Sequence, residues 1–145
     1  MDYSIMTKKG IIIGISGGVD SAVSALLLSK LGYRVIGVAF ELWKYSPLEN
    51  VVEKGGESNG ISTIRALCKK IGCELITEDL SEQFYNEIIS TFLYEYRNGR
   101  TPNPCVICNA QIKWRYLLKI ADKLGIDKIA TGHYARVLTL SLIHI

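Results

Sequence analysis

The chain has 145 residues, 48% apolar and 21% charged, the makeup of one folded globular domain rather than of two or of a disordered segment. Seventeen basic and fourteen acidic side chains leave a net charge of +3, too slight by itself to argue for a nucleic-acid partner. No apolar run approaches the roughly 20 residues of a membrane span, residues 1–9 lack the apolar core of a secretory leader, and four cysteines make a poor disulfide scaffold, so a reducing, cytoplasmic setting is expected.

Gly10 to Ile15 (GIIIGI) is a β-branched run that predicts a strand buried on both faces. Val23, Leu27 and Leu31 recur every four residues and predict a helix from Val19 to Leu31, stopped by Gly32. Arg34 to Phe40 is expected as a second buried strand, and the polar stretch from Glu41 to Asn59 as a long functional loop. A helix over Ile61 to Ile71 and a short strand over Glu74 to Thr77 follow. Ser81 is placed to cap a helix striped by Phe84, Ile88, Phe92 and Tyr96. Arg100 to Asn109 is expected as a loop, with Asn109 capping a last helix that carries Lys113, Leu117, Ile120, Ala121 and Leu124. Ile126 to Thr131 predicts a fourth strand. The order βαβαβααβ implies an α/β, Rossmann-like parallel sheet flanked by helices. Ligands in such sheets sit at the carboxyl ends of strands, which directs attention to Ser16–Ser21, Phe40–Trp43 and Thr131–Tyr134.

The turn after the first strand reads Gly14-Ile15-Ser16-Gly17-Gly18-Val19-Asp20-Ser21. Adjacent glycines let backbone N–H groups approach a ligand closely, and the helix start that follows favours an anion. The hydroxyls of Ser16 and Ser21 complete a phosphate cradle. Neither Gly-Lys-Ser/Thr nor G-x-G-x-x-G is present. Without that lysine, nothing in the turn clamps a β/γ-phosphate for transfer, which suits a pyrophosphate that departs. Asp20 reads either as a carboxylate favoured in the first helical turn or as a magnesium ligand.

A second signal is Gly99-Arg100-Thr101-Pro102-Asn103-Pro104-Cys105-Val106-Ile107-Cys108-Asn109. The two prolines are expected to stiffen a loop and to set Cys108 at a helix N-terminus, where the dipole would lower the thiol pKa and make a better nucleophile. From Arg97 to Lys119 there are five basic residues (Arg97, Arg100, Lys113, Arg115, Lys119) and no acidic one, leaving twelve basic against fourteen acidic elsewhere. With Trp114 and Tyr116 interleaved, such a surface suits a phosphate backbone and unpaired bases; a solvated helix face is the plainer alternative. Cys105-x-x-Cys108 is open to reading as half a zinc site, a redox pair or part of an iron–sulfur site. Zinc would require Cys68 and Cys73 to join, and Cys68 reads more readily as a small buried hydrophobe. His133 either lines the nucleotide site or satisfies a backbone group.

SGGVDS after a buried strand resembles the PP-loop ATP superfamily. Together, GISGGVDSAVSALLL (Gly14–Leu28), ELW (Glu41–Trp43), YRNGRTPNPCVICNAQIKW (Tyr96–Trp114) and IATGHYAR (Ile129–Arg136) resemble the N-terminal part of the tRNA-specific 2-thiouridylase family. The resemblance implies an adenine nucleotide alpha hydrolase-like fold over residues 1–137. It also implies ATP- and magnesium-dependent 2-thiolation of the wobble uridine of tRNA, in which the base C2 oxygen is adenylated and persulfide sulfur then displaces AMP. By position, Gly14, Ile15, Ser16, Gly17, Gly18, Val19, Asp20, Ser21, Phe40 and Gly132 match the nucleotide site, with Asp20 as the magnesium candidate. Asn103, Pro104 and Cys105 match the stretch facing the target base, and Cys108, with Cys105, the reactive thiols. The implied partners are tRNA and a persulfide donor protein, with no membrane and no DNA.

Some members carry Asp in place of Cys105, and the Cys105/Cys108 pair raises an iron–sulfur cluster or a disulfide as alternatives. Gly55-Gly56-Glu57-Ser58 stands where many members carry a cysteine pair. The family continues into a second essential cysteine and tRNA-gripping domains. Residues 138–145 (LTLSLIHI) depart from the family and read as a foreign apolar tail. The expectation is an incomplete enzyme that binds ATP weakly and does not complete thiolation alone. A PP-loop amidating or ligating enzyme acting on a small molecule, and a non-catalytic thiol or cluster-binding module, are the alternatives.

Overall fold

The computed structural model describes residues 9–43 and 59–135. The strands are β1 (Gly10–Gly14), β2 (Arg34–Glu41), β3 (Glu74–Asp79) and β4 (Ile129–Ala130). They form one parallel sheet in the order β3-β2-β1-β4. Helices α1 (Val19–Lys30) and α2 (Asn59–Ile71) make the first two crossovers. Two longer helices, α3 (residues 81–97) and α4 (residues 104–124), carry the chain from β3 to β4. The βαβαβααβ order is as expected, and the sheet is parallel and flanked by helices on both faces.

Period-two alternation in β1 builds the two faces. Ile11, Ile13 and Ile15 pack with Ala25 of α1 and Ile61, Ile64 and Cys68 of α2. Ile12 points the other way, into Ile36, Val38, Leu117, Ile120 and Ala121. Ile12 and Ile13 are both fully buried, each stabilising by about 1.5–3 kcal/mol relative to exposure. A third cluster of Leu80, Ile88, Cys108 and Ile112 ties α3 to α4 beside Phe40 and Leu42, beyond the carboxyl end of β2.

Five local readings need correction. Ser81 is the first residue of α3 and not its cap: its N–H and hydroxyl both donate to Asp79 Oδ1, at 3.1 and 2.6 Å. The apolar stripe read on α1 is exposed: Val23, Leu27 and Leu31 face outward, while Ser21 and Ala25 are buried. The helix lies close to the sheet through small residues, so hydropathy period does not mark its inner face. Tyr96 likewise lies exposed, stacked on Phe92 with ring centroids 5.7 Å apart. The fourth strand pairs over two residues only, Ile129 and Ala130, against Ile12 and Ile13.

The largest correction concerns residues 100–109. Pro104 is not a loop residue but occupies the first turn of α4, so the helix is five residues older at Asn109 than expected. Proline suits that position because its missing N–H would be unpaired there anyway and its φ is already helical. Both α3 and α4 contain a wide π turn, Tyr85–Ile89 and Asn109–Trp114. In α4 the extra residue moves the buried stripe from Cys108 and Ile112, in the third cluster, to Leu117 and Ile120 in the second. Residues 44–58, with most of the expected long loop and Gly55–Ser58, lie outside the described residues, as do Arg136 and the tail 138–145.

Candidate functional site

The β1–α1 turn is organised by its two serines and by glycine. Gly17 has φ +81°, a left-handed conformation that a side chain would strain. The Ser21 hydroxyl, on the buried side of α1, donates to the Gly18 carbonyl at 3.0 Å. Its oxygen accepts from the Ser16 N–H at 3.3 Å, and the two serine hydroxyls lie 3.4 Å apart. No side chain caps α1, so its first N–H groups stay available to a ligand, and the helix dipole favours a negative one.

The chain returns to this turn from far away in sequence. At Gly132 an added Cβ would lie 2.7 Å from the Ser21 backbone nitrogen, so only glycine allows the approach. The Tyr134 hydroxyl donates to Asp20 Oδ1 at 2.6 Å, and the carboxylate holds the phenol above its usual pKa range. His133 Nδ1 lies 2.8 Å from the Thr131 hydroxyl, so its near partner is a side chain and not a backbone group. The His133 ring stacks on Trp114 of α4, centroids 6.3 Å apart and planes at 21°.

These pieces enclose a cavity of about 430 Å³ at the carboxyl end of the sheet. Gly14, Ile15, Ser16, Gly18, Asp20 and Ser21 line one side, Phe40 and Leu42 the end of β2, and Thr131, Gly132 and His133 the β4 side. Lys113, Trp114 and Leu117 of α4 close it. Gly17 and Val19 belong to the same turn without lining the cavity. Val38, Ile64 and Leu117 were not foreseen as site residues; Val38 was legible from strand alternation with Phe40, whereas Ile64 and Leu117 depend on tertiary packing.

The Pro-Cys segment sits beside the cavity rather than in it. Asn103 is the N-cap of α4 and makes no side-chain capping bond. Asn103 and Cys105 are exposed, Pro104 is half-buried, and none of the three lines the cavity. Cys108 is buried in the third cluster, where Phe40 and Leu42 pack against it from the cavity wall. The expected helix-start thiolate is therefore overturned. Cys108 lies a full turn inside α4, and burial pushes its thiol pKa up, with Lys113 pulling down against it and Cys105 adding to the rise.

The basic cluster is also less free than its sequence suggests. Arg100 pairs with Glu95 of α3, and Arg115 lies 3.5 Å from Glu87 of the same helix. The Lys119 ammonium sits 4.6 Å from the centroid of the Tyr116 ring. All four cysteines are free thiols. Among the described residues no group of three or more His, Cys, Asp or Glu could hold a metal ion, so the all-cysteine zinc reading finds no site there. No helix among the described residues is long and apolar enough to cross a membrane.

The description of the tRNA methyl transferase HUP domain fits residues 9–142 of this chain as a family model. The tRNA-specific 2-thiouridylase MnmA of Cytophaga hutchinsonii is 43% identical over 135 residues, spanning 91% of this chain and 37% of that protein. The MnmA of Methylococcus capsulatus is 43% identical over 130 residues, spanning 90% of this chain and 34% of that one. The chain thus spans about a third of the length of these curated relatives. Among solved structures, a predicted subunit of tRNA methyltransferase from Methanocaldococcus jannaschii is similar in fold, with TM-score 0.52 at 18% identity over 93% of this chain and 59% of that one. A glycine turn, a returning Gly132 and a proline-started cysteine helix, on a four-stranded parallel sheet, accord with these matches: the chain belongs to the tRNA methyl transferase HUP domain family, among relatives named tRNA-specific 2-thiouridylases.

Proposed function

We propose that this chain is the ATP-binding module of a tRNA sulfurtransferase that installs sulfur at C2 of the wobble uridine. One observation carries the reading: a single cavity joins the glycine turn, Phe40 and Gly132 to the helix that bears Cys105 and Cys108. The N–H groups of Gly14 to Ser21 and the serine hydroxyls hold the phosphates, and Phe40 and Gly132 bound the nucleotide. The uridine O2 attacks the α-phosphorus, and pyrophosphate leaves with the electrons of the broken P–O bond. Persulfide sulfur, brought by a donor protein, then attacks C2 through its outer atom and AMP departs. A second thiolate, Cys108 in this reading, attacks the inner sulfur, so the S–S bond breaks, the outer sulfur stays on C2 and a disulfide forms between Cys108 and the sulfur carrier.

Asn103 and Cys105, exposed on either side of the half-buried Pro104, stand at the start of α4 and suit a meeting with the target base. Cys108 is the nucleophile of this reading. Its burial means that the cluster of Leu80, Ile88 and Ile112 has to open before the sulfur reacts. Asp20 fits a magnesium ion, which commonly takes one or two carboxylates plus substrate phosphates; bound there, the ion would neutralise charge on the departing pyrophosphate. An iron–sulfur cluster fits less well: Cys105 and Cys108 supply two of the four usual ligands, and no third joins them among the described residues.

Calorimetric titration with ATP, followed by assay of pyrophosphate release with and without unmodified tRNA, tests the reading. ATP binding with release stimulated by tRNA supports it. Absence of ATP binding, or release driven by a small amine or carboxylate with no response to tRNA, overturns it.

A further inference from the structure

The glycine turn lacks the lysine with which Gly-Lys-Ser/Thr loops hold a polyphosphate. Its donors are neutral, and the one charged side chain that it carries, the carboxylate of Asp20, repels a phosphate chain. We propose that Lys113 is the missing cation: from the cysteine-bearing helix, it holds the polyphosphate of the bound nucleotide across the cavity from Ser16 and Ser21. The inference rests on the nucleotide reading above and adds a residue that the sequence motif does not contain.

Three observations support it. Among the described residues, Lys113 is the only lysine or arginine that lines the cavity. It has no carboxylate within ion-pair distance among the described residues, whereas Arg100, Arg115 and Lys119 of the same basic segment are engaged by Glu95, Glu87 and the Tyr116 ring. Lys113 is half-buried, and a partly desolvated ammonium without a counter-charge favours an arriving anion.

The π turn accounts for its place. Residues 109–114 widen the helix by one residue, so Ile112 stays in the third cluster and Leu117 enters the second. Lys113 and Trp114, between them, face the cavity. Lys113, which lines the cavity, and Cys108, which is buried in the third cluster, thus stand on the same helix. A lysine on this helix links phosphate occupancy to the element that carries the sulfur chemistry, a link that a lysine inside the glycine turn would not make.

The test titrates ATP, inorganic pyrophosphate and adenosine into the wild-type chain, Lys113→Gln and Lys113→Arg, with circular dichroism confirming the fold of each. Charged hydrogen bonds of this kind predict that Lys113→Gln weakens ATP and pyrophosphate by about tenfold or more. Adenosine should be nearly unaffected, and Lys113→Arg should recover most of the loss. Equal ATP affinity in Lys113→Gln and wild type overturns the inference alone. So does a parallel loss of ATP and adenosine, or an unfolded Lys113→Gln with Lys113→Arg as weak as a neutral residue, since each makes the side chain part of the wall. Failure of the wild type to bind ATP overturns the nucleotide reading and this inference together.

Discussion

The glycine turn and the cysteine helix both line one cavity, yet they are built in opposite ways. The turn is made almost wholly from backbone: a left-handed glycine, uncapped N–H groups and two hydroxyls that hold each other. The cysteine helix is made from burial, with Cys108 and Ile112 enclosed by α3 and a widened turn deciding which side chains face where. Backbone sites tolerate little crowding and much side-chain change. Buried sites are disturbed by removed atoms as well as by added ones.

The comparison is broken most directly by Ile112→Ala, which removes a fully buried side chain from the cluster that encloses Cys108. We expect a loss of about 2–5 kcal/mol in urea denaturation, and faster alkylation of Cys108 read by mass spectrometry. An unchanged alkylation rate would mean that Ile112 is not what shields the sulfur. On the backbone side, Gly132→Ala places a Cβ 2.7 Å from the Ser21 nitrogen. Overpacking of this kind costs about 1–3 kcal/mol, and we expect it to appear as weaker ATP binding in calorimetry with the circular dichroism spectrum retained.

Alkaline pH separates the regions further, because raised thiols lie only in buried places. Burial first, and then the Cys68 thiol, push Cys73 up to about 12, and burial raises Cys108 as well. A thiol kept protonated by the fold contributes stability that is complete below its unfolded pKa, about 8.5, and is lost as pH rises through the folded value. The urea midpoint should therefore fall between about pH 9 and 12, with a shallower fall in Cys73→Ala; identical pH profiles would refute the assignment. Smallest of all, Tyr134→Phe deletes an exposed hydrogen bond to Asp20. Stability should change by less than about 1 kcal/mol, while the magnesium dependence of ATP binding shifts measurably in titration.

The strand–turn–helix order and the glycine cradle were legible because their causes are local: β-branched runs, glycines and hydroxyls act within a few residues. Gly132 was legible only through its resemblance to a family motif, since its contact lies more than a hundred residues away. Pro104 misled because proline serves both loops and helix starts, and only packing decides between them. No residue type announces a π turn, so the facing of Lys113 and the burial of Cys108 could not be read. The exposed stripe on α1 has a similar origin: Ser21 and Ala25 are small enough to let the helix approach the sheet, a steric fact to which hydropathy is blind.

The Tyr134–Asp20 bond spans 114 residues, and that span has a consequence for biosynthesis. A ribosome making this protein releases the glycine turn more than a hundred residues before its opposing wall. Until Gly132 leaves the exit tunnel, the cleft of the nascent chain lacks the wall that packs against Ser21.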